Sequence, residues 1–471
     1  MLELLRRTFV GLTAAAAAAG LPGCAQAEPR PELVGDWSGV LGAGAQGLRL
    51  RLALAADGSA QLFSLDQGGA AIPARWRATG ERITVEVPAV GGRFEGVVAV
   101  DRLEGAWRQP GGGGPLVLLR GAEAGLMRPP VDPLSPQALT RLRTQSGAPA
   151  MAAAWSGRGS APTVLVDGMR QAGGSAPATA QDRWHIGSIT KSMTATLAAI
   201  CVEAGEIGWD TPLGDVLGSR LPKLRDAYRS ATLLHLLSHR AGLVANIGLL
   251  EMAAFDRIPD DPIADRLAYA RIVLSKGPSG ALGASETYSN AGYTVAAAML
   301  EARTGKPWEV LITERLFAPL GITTAGFGAP DPSGNPVGHL RRGQGLRPMP
   351  PRDGDLADNI PAIGPAGRVH LTMSDLVGYL RAHADRSNLL TAASWDRLHT
   401  PPFGGDYALG WVVRPDGSRW HNGSNTMWYA EAAFDAKTGA VAAAASNSGD
   451  LDAVTGSTAA ALAAAAAAAA A

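Results

Sequence analysis

Apolar and polar residues alternate with a period of two between residues 32 and 120. Three runs show the alternation most clearly, namely residues 48–54, 82–87 and 96–100. Turn signals such as Asp57-Gly58 separate the runs. Alternation is typical of strands, because successive side chains of a strand point to opposite faces of the sheet. The pattern therefore predicts a small all-β barrel or sandwich domain over residues 28–121.

This predicted domain carries no recognisable reactive site. Gly42-Ala43-Gly44-Ala45-Gln46-Gly47 matches the dinucleotide-binding fingerprint by letter. That fingerprint requires a following helix, and here a strand pattern follows, so we reject a dinucleotide site. Trp37, Trp76 and Trp107 are expected core residues, and we expect the domain to be an accessory or packing module.

Residues 1–27 have the plan of a secretory signal peptide, with a basic pair, an apolar stretch and small residues before the end. The Arg6-Arg7 pair resembles a twin-arginine export signal, with ordinary secretion as the alternative. The residues before Cys24 resemble a lipoprotein cleavage box except for Pro22, and cleavage after Ala27 is the competing hypothesis. We expect an exported protein of the bacterial periplasm or cell envelope, attached to a membrane only through a lipid anchor at Cys24.

Charge and residue spacing limit the partners. The 471 residues include 42 basic and 42 acidic ones, a formal net charge of +0, so we expect no nucleic-acid partner. His235 and His239 have the spacing of a helical zinc pair, but Leu236 stands where a metalloprotease needs glutamate. We therefore expect no metal and no cofactor.

A proline-rich linker at residues 122–133 precedes a second domain at residues 134–471, where helical and strand patterns alternate. The alternation predicts an α+β domain, an antiparallel sheet flanked by helices. Thr372 and Asp375 have the spacing of a capping box. The predicted helices span residues 189–204, 293–303 and 376–384, and the predicted strands span residues 151–155, 163–167, 409–414 and 431–434.

The first chemical motif is Ser188-Ile189-Thr190-Lys191, where a loop enters a predicted helix. Residues three apart share a helical face, so the lysine amine can reach the serine hydroxyl. A desolvated lysine with a lowered pKa can take the proton of a serine nucleophile. The motif predicts a nucleophile and its base, with a surface serine and lysine on a first helical turn as the alternative.

The second motif is Tyr288-Ser289-Asn290. A tyrosine beside the nucleophile can relay a proton, and an asparagine amide can fix the lysine and hold a substrate carbonyl. The alternative is a buried tyrosine followed by a turn asparagine.

The third motif is His421-Asn422-Gly423-Ser424, shortly after the predicted strand at 409–414. On an edge strand beside the nucleophile, the histidine would support the proton relay or bind a substrate anion. Gly423 would let substrate approach closely, and the Ser424 backbone N–H would join that of Ser188 in an oxyanion hole.

The three motifs in this order resemble the serine β-lactamase and penicillin-binding-protein superfamily, in its class C β-lactamase, D-alanyl-D-alanine carboxypeptidase and esterase branch. The resemblance covers residues 134–471 and implies the α+β fold of that superfamily. Four blocks carry it, at residues 187–194, 236–243, 288–293 and 364–367.

The resemblance implies acyl transfer to a serine. Ser188 would be the acylated nucleophile, Lys191 and Tyr288 the proton-handling pair, and Asn290 the group that positions substrate and lysine. By the same analogy, the backbone N–H groups of Ser188 and Ser424 would form the oxyanion hole.

One departure from the superfamily bears on the substrate. His421 stands where many class C enzymes have lysine, and histidine is mostly neutral at pH 7, so a carboxylate-bearing substrate is less assured. We expect an exported serine hydrolase acting on a D-amino-acid peptide, a β-lactam or a small ester. The alternatives are a non-catalytic cell-wall sensor or binding protein with the same fold, and an acyltransferase acting on small molecules.

Overall fold

The structure is a computed structural model of the chain. It describes residues 30–42, 47–67, 70–109, 112–124, 131–256, 258–284, 286–343, 345–351 and 357–471. The predicted signal peptide with Cys24, most of the Gly42–Gly47 motif and part of the predicted linker lie outside the described residues. The chain divides into two compact units, Met1–Val131 and Asp132–Ala471, which are described separately.

Within the described residues, the first unit is a closed barrel of eight antiparallel strands in chain order. The first strand pairs with both the second and the last, which closes the sheet. Closure confirms the barrel and excludes the sandwich. The strands are β1 (Gly35–Leu41), β2 (Leu48–Leu54), β3 (Ser59–Ser64), β4 (Ala71–Thr79), β5 (Arg82–Val87), β6 (Gly92–Ala99), β7 (Arg102–Gln109) and β8 (Gly112–Arg120).

The barrel interior follows from the period-two pattern. Every second residue of β2 is buried, as expected for a strand with one face in the core. Trp37 and Trp107 are buried, and Trp76 packs against the same core while partly exposed. The predicted core role is confirmed for Trp37 and Trp107, whereas Trp76 lies at the margin of the core.

The second unit is built on antiparallel sheets whose strands come from distant parts of the chain. Its strands are β9 (Ala150–Ser156), β10 (Thr163–Gly168), β11 (Arg183–His185), β12 (Gly326–Phe327), β13 (Gly338–Arg342), β14 (Gly345–Met349), β15 (Val369–Thr372), β16 (Val412–Val413), β17 (Arg419–Ser424), β18 (Tyr429–Phe434) and β19 (Val441–Ser446).

Helices connect and cover these strands. They are α1 (Pro136–Ser146), α2 (Thr190–Glu203), α3 (Leu213–Leu217), α4 (Asp226–Arg229), α5 (Leu233–Leu237), α6 (Leu249–Met252), α7 (Pro262–Ser275), α8 (Asn290–Thr304), α9 (Trp308–Ile312), α10 (Gly364–Gly367), α11 (Met373–Ala384), α12 (Ala392–His399) and α13 (Leu451–Ala470).

The central sheet of the described residues has the order β10-β9-β19-β18-β17-β16. Every residue of β18 and β19 is buried, so both faces of the sheet are covered, and α11 and α13 both pack on these strands. A smaller sheet, β11-β15-β12, and the hairpin β13-β14 accompany it. The predicted α+β class is confirmed.

The alanine-rich C-terminus forms helix α13. By length and composition, this described helix could cross a bilayer. It packs against β9, β18, β19 and α1, which are the contacts of a core helix. Burial against the sheet therefore explains part of its apolar character, since 39% of its most apolar window is buried.

The predicted strand at residues 409–414 is wrong, because only Val412–Val413 pairs as a strand. Gly410 has φ +81°, and a side chain there would lie 2.5 Å from the Cα of Ser192. The segment therefore turns against helix α2 before it reaches the sheet.

Two helix starts differ from the sequence pattern. Helix α8 begins at Asn290 instead of residue 293, because the Ser289 hydroxyl accepts from the Gly292 N–H and caps the helix earlier. Helix α11 begins at Met373 instead of residue 376, because the Thr372 hydroxyl accepts from the Asp375 N–H and caps the helix at that point. The second half of the predicted capping box does not form, because the Thr372 N–H donates to Thr324 Oγ1 and the Asp375 carboxylate instead accepts from the backbone N–H and hydroxyl of Thr324.

Candidate active site

Ser188 lies in a 3₁₀ turn, Gly187–Ile189, that runs into helix α2. The preceding Gly187 has φ +51°, a conformation that favours glycine. Ser188 is partly exposed, whereas Thr190 and Lys191 are fully buried. The turn thus leaves the Ser188 hydroxyl accessible, while the residues that follow it are buried.

The Lys191 amine contacts three oxygen atoms. Its Nζ lies 3.0 Å from Ser188 Oγ, 2.6 Å from Asn290 Oδ1 and 2.7 Å from the Ala366 carbonyl oxygen. The structure therefore brings together the first two predicted motifs and adds a carbonyl group from α10.

Burial lowers the pKa of Lys191 well below its ordinary value. A neutral amine has two N–H donors and one lone pair. Asn290 Oδ1 and the Ala366 carbonyl can accept the two N–H groups, which leaves the lone pair to receive the Ser188 hydroxyl hydrogen. This arrangement matches a serine nucleophile with a lysine base.

The second motif is held by the cap of helix α8. Ser289 Oγ donates to the Val244 carbonyl, at 2.7 Å, and its N–H donates to His239 Nδ1, at 3.1 Å. Asn290 Nδ2 donates to Asn246 Oδ1, at 3.1 Å, which orients its carbonyl oxygen toward Lys191. The Ser289 cap thus fixes the backbone at the start of α8, and the contact with Asn246 orients the Asn290 side chain.

Tyr288 lies over the lysine. Its ring centroid is 4.8 Å from Lys191 Nζ. The His239 ring packs against Tyr288 with centroids 4.4 Å apart and against Tyr407 with centroids 4.5 Å apart. His239 therefore lies in an aromatic cluster beside the lysine.

The third motif lies on β17, against the nucleophile turn. A side chain on Gly187 would lie 2.4 Å from the Ser424 nitrogen, and one on Gly423 would lie 2.5 Å from the Ser188 nitrogen. Both glycines are needed for this close approach. The backbone segments that carry the Ser188 and Ser424 nitrogens are therefore packed directly against each other.

Strand β17 lies between β16 and β18 in the sheet, although it was predicted at the edge. Strand β16 pairs only with Arg419 and Trp420 of β17. The part of β17 that carries the motif thus borders the nucleophile turn, as the predicted chemistry needs.

His421 is 3% exposed and is held by protein groups. Its Nδ1 lies 2.5 Å from the Asn422 carbonyl oxygen, and its Nε2 lies 2.9 Å from the Tyr407 hydroxyl. Burial raises the pKa of Tyr407 well above its ordinary value, so the hydroxyl keeps its proton and can donate to Nε2.

The nucleophile helix is supported behind by a buried polar network. The Tyr379 hydroxyl donates to Ser192 Oγ, at 3.0 Å, and Thr196 Oγ1 lies 3.3 Å from His383 Nε2. His383 Nδ1 lies 2.9 Å from His399 Nε2. Helices α2, α11 and α12 are linked by these contacts.

This network predicts loss of stability at mildly acidic pH. Burial lowers the pKa of His399 to about 3 and that of His383 well below its ordinary value. Below a pH of about 6.5, the unfolded chain binds protons that these folded histidines do not. The free energy of unfolding should therefore fall as pH decreases, by about 1.4 kcal/mol per pH unit for each such histidine.

Urea unfolding followed by tryptophan fluorescence at pH 7, 6 and 5 measures this dependence. His399→Gln should reduce the slope by about one proton per molecule, since one buried histidine is removed. A midpoint that stays constant from pH 7 to pH 5 in the unaltered protein would contradict the prediction.

Sequence reasoning missed three groups at the site. The Ala366 carbonyl comes from a block that was recognised, but no side chain marks its role. Tyr407 lies two residues before the predicted strand at 409–414, and Asn246 lies in a loop without a motif. Each of the three groups contacts a predicted site residue in space. No motif in the sequence marks such a contact between residues that are distant along the chain.

Known proteins are similar to part of this chain. The chain is 29% identical over 223 residues to penicillin-binding protein 4 of Amycolatopsis lactamdurans, covering 47% of this chain and 56% of that relative. It thus spans about half the length of that relative. A D-amino acid amidase from Ochrobactrum anthropi SV3 has a TM-score of 0.55 at 20% identity, over 70% of this chain and 96% of that one.

A further solved structure, EstCE1, described as a hydrolase with promiscuous acyltransferase activity, has a TM-score of 0.58 at 17% identity. It covers 71% of this chain and 99% of its own. The family model named Beta-lactamase matches residues 136–467, which include every residue of the site described above. The resemblance seen in the motifs is confirmed, and the chain belongs to the beta-lactamase family.

Proposed function

We propose that this protein is a serine hydrolase that cleaves amides or esters through an acyl-serine intermediate. The observation that carries the proposal is the buried Lys191 amine, whose N–H groups face Asn290 and Ala366 and whose remaining position faces Ser188. Membership in the beta-lactamase family supports the same chemistry.

In the proposed reaction, Ser188 Oγ attacks the substrate carbonyl carbon as its proton passes to Lys191. The carbonyl electron pair becomes an oxyanion that accepts from the N–H groups of Ser188 and Ser424. The bond to the leaving group then breaks, and Tyr288 delivers the proton from Lys191 to that group. Water adds to the acyl-serine by the reverse proton path, releasing the acid and regenerating Ser188.

His421 and Gly423 are proposed to border the bound substrate next to Asn290. We favour substrates that have no free carboxylate facing His421. Nδ1 of His421 faces the Asn422 carbonyl and Nε2 faces Tyr407. A neutral ring satisfies both contacts, with Nδ1 donating and Nε2 accepting. The position thus supplies no permanent cation, in contrast to a lysine.

Replacing His421 by lysine should shift the substrate preference. A cation at this position would pair with a peptide carboxylate, and a charge-assisted contact of about 1.5–3 kcal/mol corresponds to about tenfold or more in kcat/KM. We expect His421→Lys to raise the kcat/KM ratio of a D-alanyl-D-alanine peptide to its C-terminal amide. Steady-state kinetics on the two peptides measures the ratio.

His421→Gln is the neutral control and should leave that ratio near its original value, whatever its effect on total activity. An equal shift in both variants would show that charge is not the cause, and no shift in His421→Lys would contradict the assigned substrate contact.

A hydrolysis panel tests the proposed function itself. Nitrocefin, p-nitrophenyl esters and D-alanyl peptides and amides are incubated with the protein, and intact mass spectrometry follows the acyl-serine. Turnover with a transient adduct supports a hydrolase, whereas a stable adduct without turnover favours the sensor alternative. A product with an added amine or alcohol acceptor would favour the acyltransferase, and neither adduct nor turnover would contradict the proposal.

We further propose that the protein is exported to the bacterial periplasm or cell envelope. The signal-peptide plan of residues 1–27 supports export, and lipidation at Cys24 would supply the membrane attachment. Small amides and esters of the cell envelope fit a site of this kind.

A further inference from the structure

The Asp358 carboxylate joins the two chain segments that flank the proposed oxyanion hole. Its Oδ2 lies 3.0 Å from His185 Nε2, and its Oδ1 accepts from Asn425 Nδ2, at 2.9 Å. His185 precedes Ser188 by three residues and Asn425 directly follows Ser424. One buried side chain thus contacts both sides of the site.

On the nucleophile side, the link runs through the His185 ring. The Gly187 N–H donates to His185 Nδ1, at 3.2 Å. Because Nδ1 accepts this hydrogen, Nε2 carries the ring proton and donates it to Asp358. The carboxylate therefore selects the tautomer that holds the Gly187 peptide, and this peptide leads directly to Ser188.

On the strand side, the link runs through the Asn425 amide. Its Oδ1 accepts from the Met427 N–H, at 3.2 Å, while Nδ2 donates to Asp358. Thr426 has φ +72°, and its N–H donates to Ser424 Oγ, at 3.0 Å. The turn that follows Ser424 is thus fixed at both ends.

The Asp358 carboxylate is buried and charged, so it can hold both hydrogen-bond partners at neutral pH. Its side chain is 6% exposed, and Arg368 Nε lies 3.3 Å from Oδ2. Burial alone would raise the pKa of Asp358, but the hydrogen bonds from His185 and Asn425 and the positive charge of Arg368 lower it below its ordinary value. The group therefore stays ionised and accepts hydrogen bonds at neutral pH.

We propose that Asp358 is a positioning residue that sets the separation and direction of the Ser188 and Ser424 N–H groups. The inference rests on the proposed acyl-serine function and adds a residue that none of the three motifs contains. It assigns Asp358 an effect on the oxyanion and not on proton transfer, since its contacts reach the two backbone segments.

Asp358→Asn tests this assignment. Asparagine has one acceptor oxygen where aspartate has two, so it can accept from His185 or from Asn425 but not from both. Its NH2 group then faces the other partner and breaks that contact, on either the nucleophile side or the strand side. We expect kcat for a p-nitrophenyl ester to fall about 10- to 100-fold, with KM changed less than about threefold, because a displaced donor is a partial loss of the oxyanion hole.

The distinguishing readout is the kcat ratio of an oxygen ester to the thionoester with the same acyl and leaving groups. Sulfur accepts hydrogen bonds poorly, so a well-aligned oxyanion hole favours the oxygen ester. Misaligned N–H groups should lower this ratio at least several-fold in Asp358→Asn. A general loss of folded protein would lower both rates equally and leave the ratio constant.

Two further variants complete the experiment. Asn425→Ala removes only the strand-side contact and should also lower the ratio, so it decides the question if Asp358→Asn does not fold. Asp182→Asn is the matched control, because Asp182 is also a buried carboxylate and its hydrogen bonds go to Arg170, at 2.6 Å, and to Thr179. Its ratio should equal that of the unaltered protein.

The outcomes separate this inference from the function on which it depends. If the unaltered protein acylates Ser188 but Asp358→Asn or Asn425→Ala folds with an unchanged ratio, the role of Asp358 is contradicted and the proposed function stands. If the unaltered protein forms no acyl-serine, both are contradicted.

Discussion

Ser188→Ala is expected to abolish turnover and covalent labelling. The acyl bond forms on Ser188 Oγ, and alanine leaves no nucleophile in the turn before α2. Loss of a nucleophile from a coupled site costs about 10⁵-fold or more in kcat. Turnover of a p-nitrophenyl ester and the intact mass after treatment with a fluorophosphonate or a fluorescent penicillin measure the two effects.

Ser192→Ala is the control for this result. Ser192 lies on the same helix, is buried and bonds to Tyr379, so its loss should leave the mass adduct in place. An adduct that persists in Ser188→Ala would show that another residue is the nucleophile and would contradict the proposed mechanism.

Lys191→Ala should reduce kcat by about three to four orders of magnitude, because removing the base of a coupled pair disables its nucleophile. It also leaves Asn290 Oδ1 and the Ala366 carbonyl without the amine, at a cost of about 1–3 kcal/mol in the free energy of unfolding. Single-turnover acylation rates and urea unfolding measure the two losses separately.

Lys191→Arg separates the base from the charge. Arginine remains protonated in proteins, so it cannot take the Ser188 proton and should be nearly as slow as alanine. Lys306→Ala, at an exposed lysine paired with Glu314, should be silent. Activity of Lys191→Arg within tenfold of the unaltered protein would show that a cation is sufficient and that Lys191 is not the base.

The pH dependence of acylation follows from the same residue. Burial lowers the pKa of Lys191, and only the neutral amine accepts a proton. The rate of the unaltered protein should therefore fall as pH decreases through that lowered pKa, whereas an amine with an ordinary pKa would already be protonated and inactive at pH 7.

Local patterns were sufficient for the parts of this molecule that depend on neighbouring residues. Alternation along β2 and β5 predicted buried strand faces, and the spacing of Ser188 and Lys191 predicted their contact within one helical turn. The strand predicted at residues 409–414 failed because Gly410 packs against Ser192, a long-range contact that overrides the local pattern.

The sequence by itself determined the three period-two runs that correspond to β2, β5 and β6, the α+β class of the second unit and the three motifs. Periodicity and i, i+3 spacing act over a few residues. Only the tertiary structure decided that the barrel closes, that Ala366 and Asn290 complete the amine contacts of Lys191, and that Asp358 reaches His185 and Asn425. These contacts join residues that lie far apart along the chain. Their existence depends on burial and close backbone approach, which no single segment encodes.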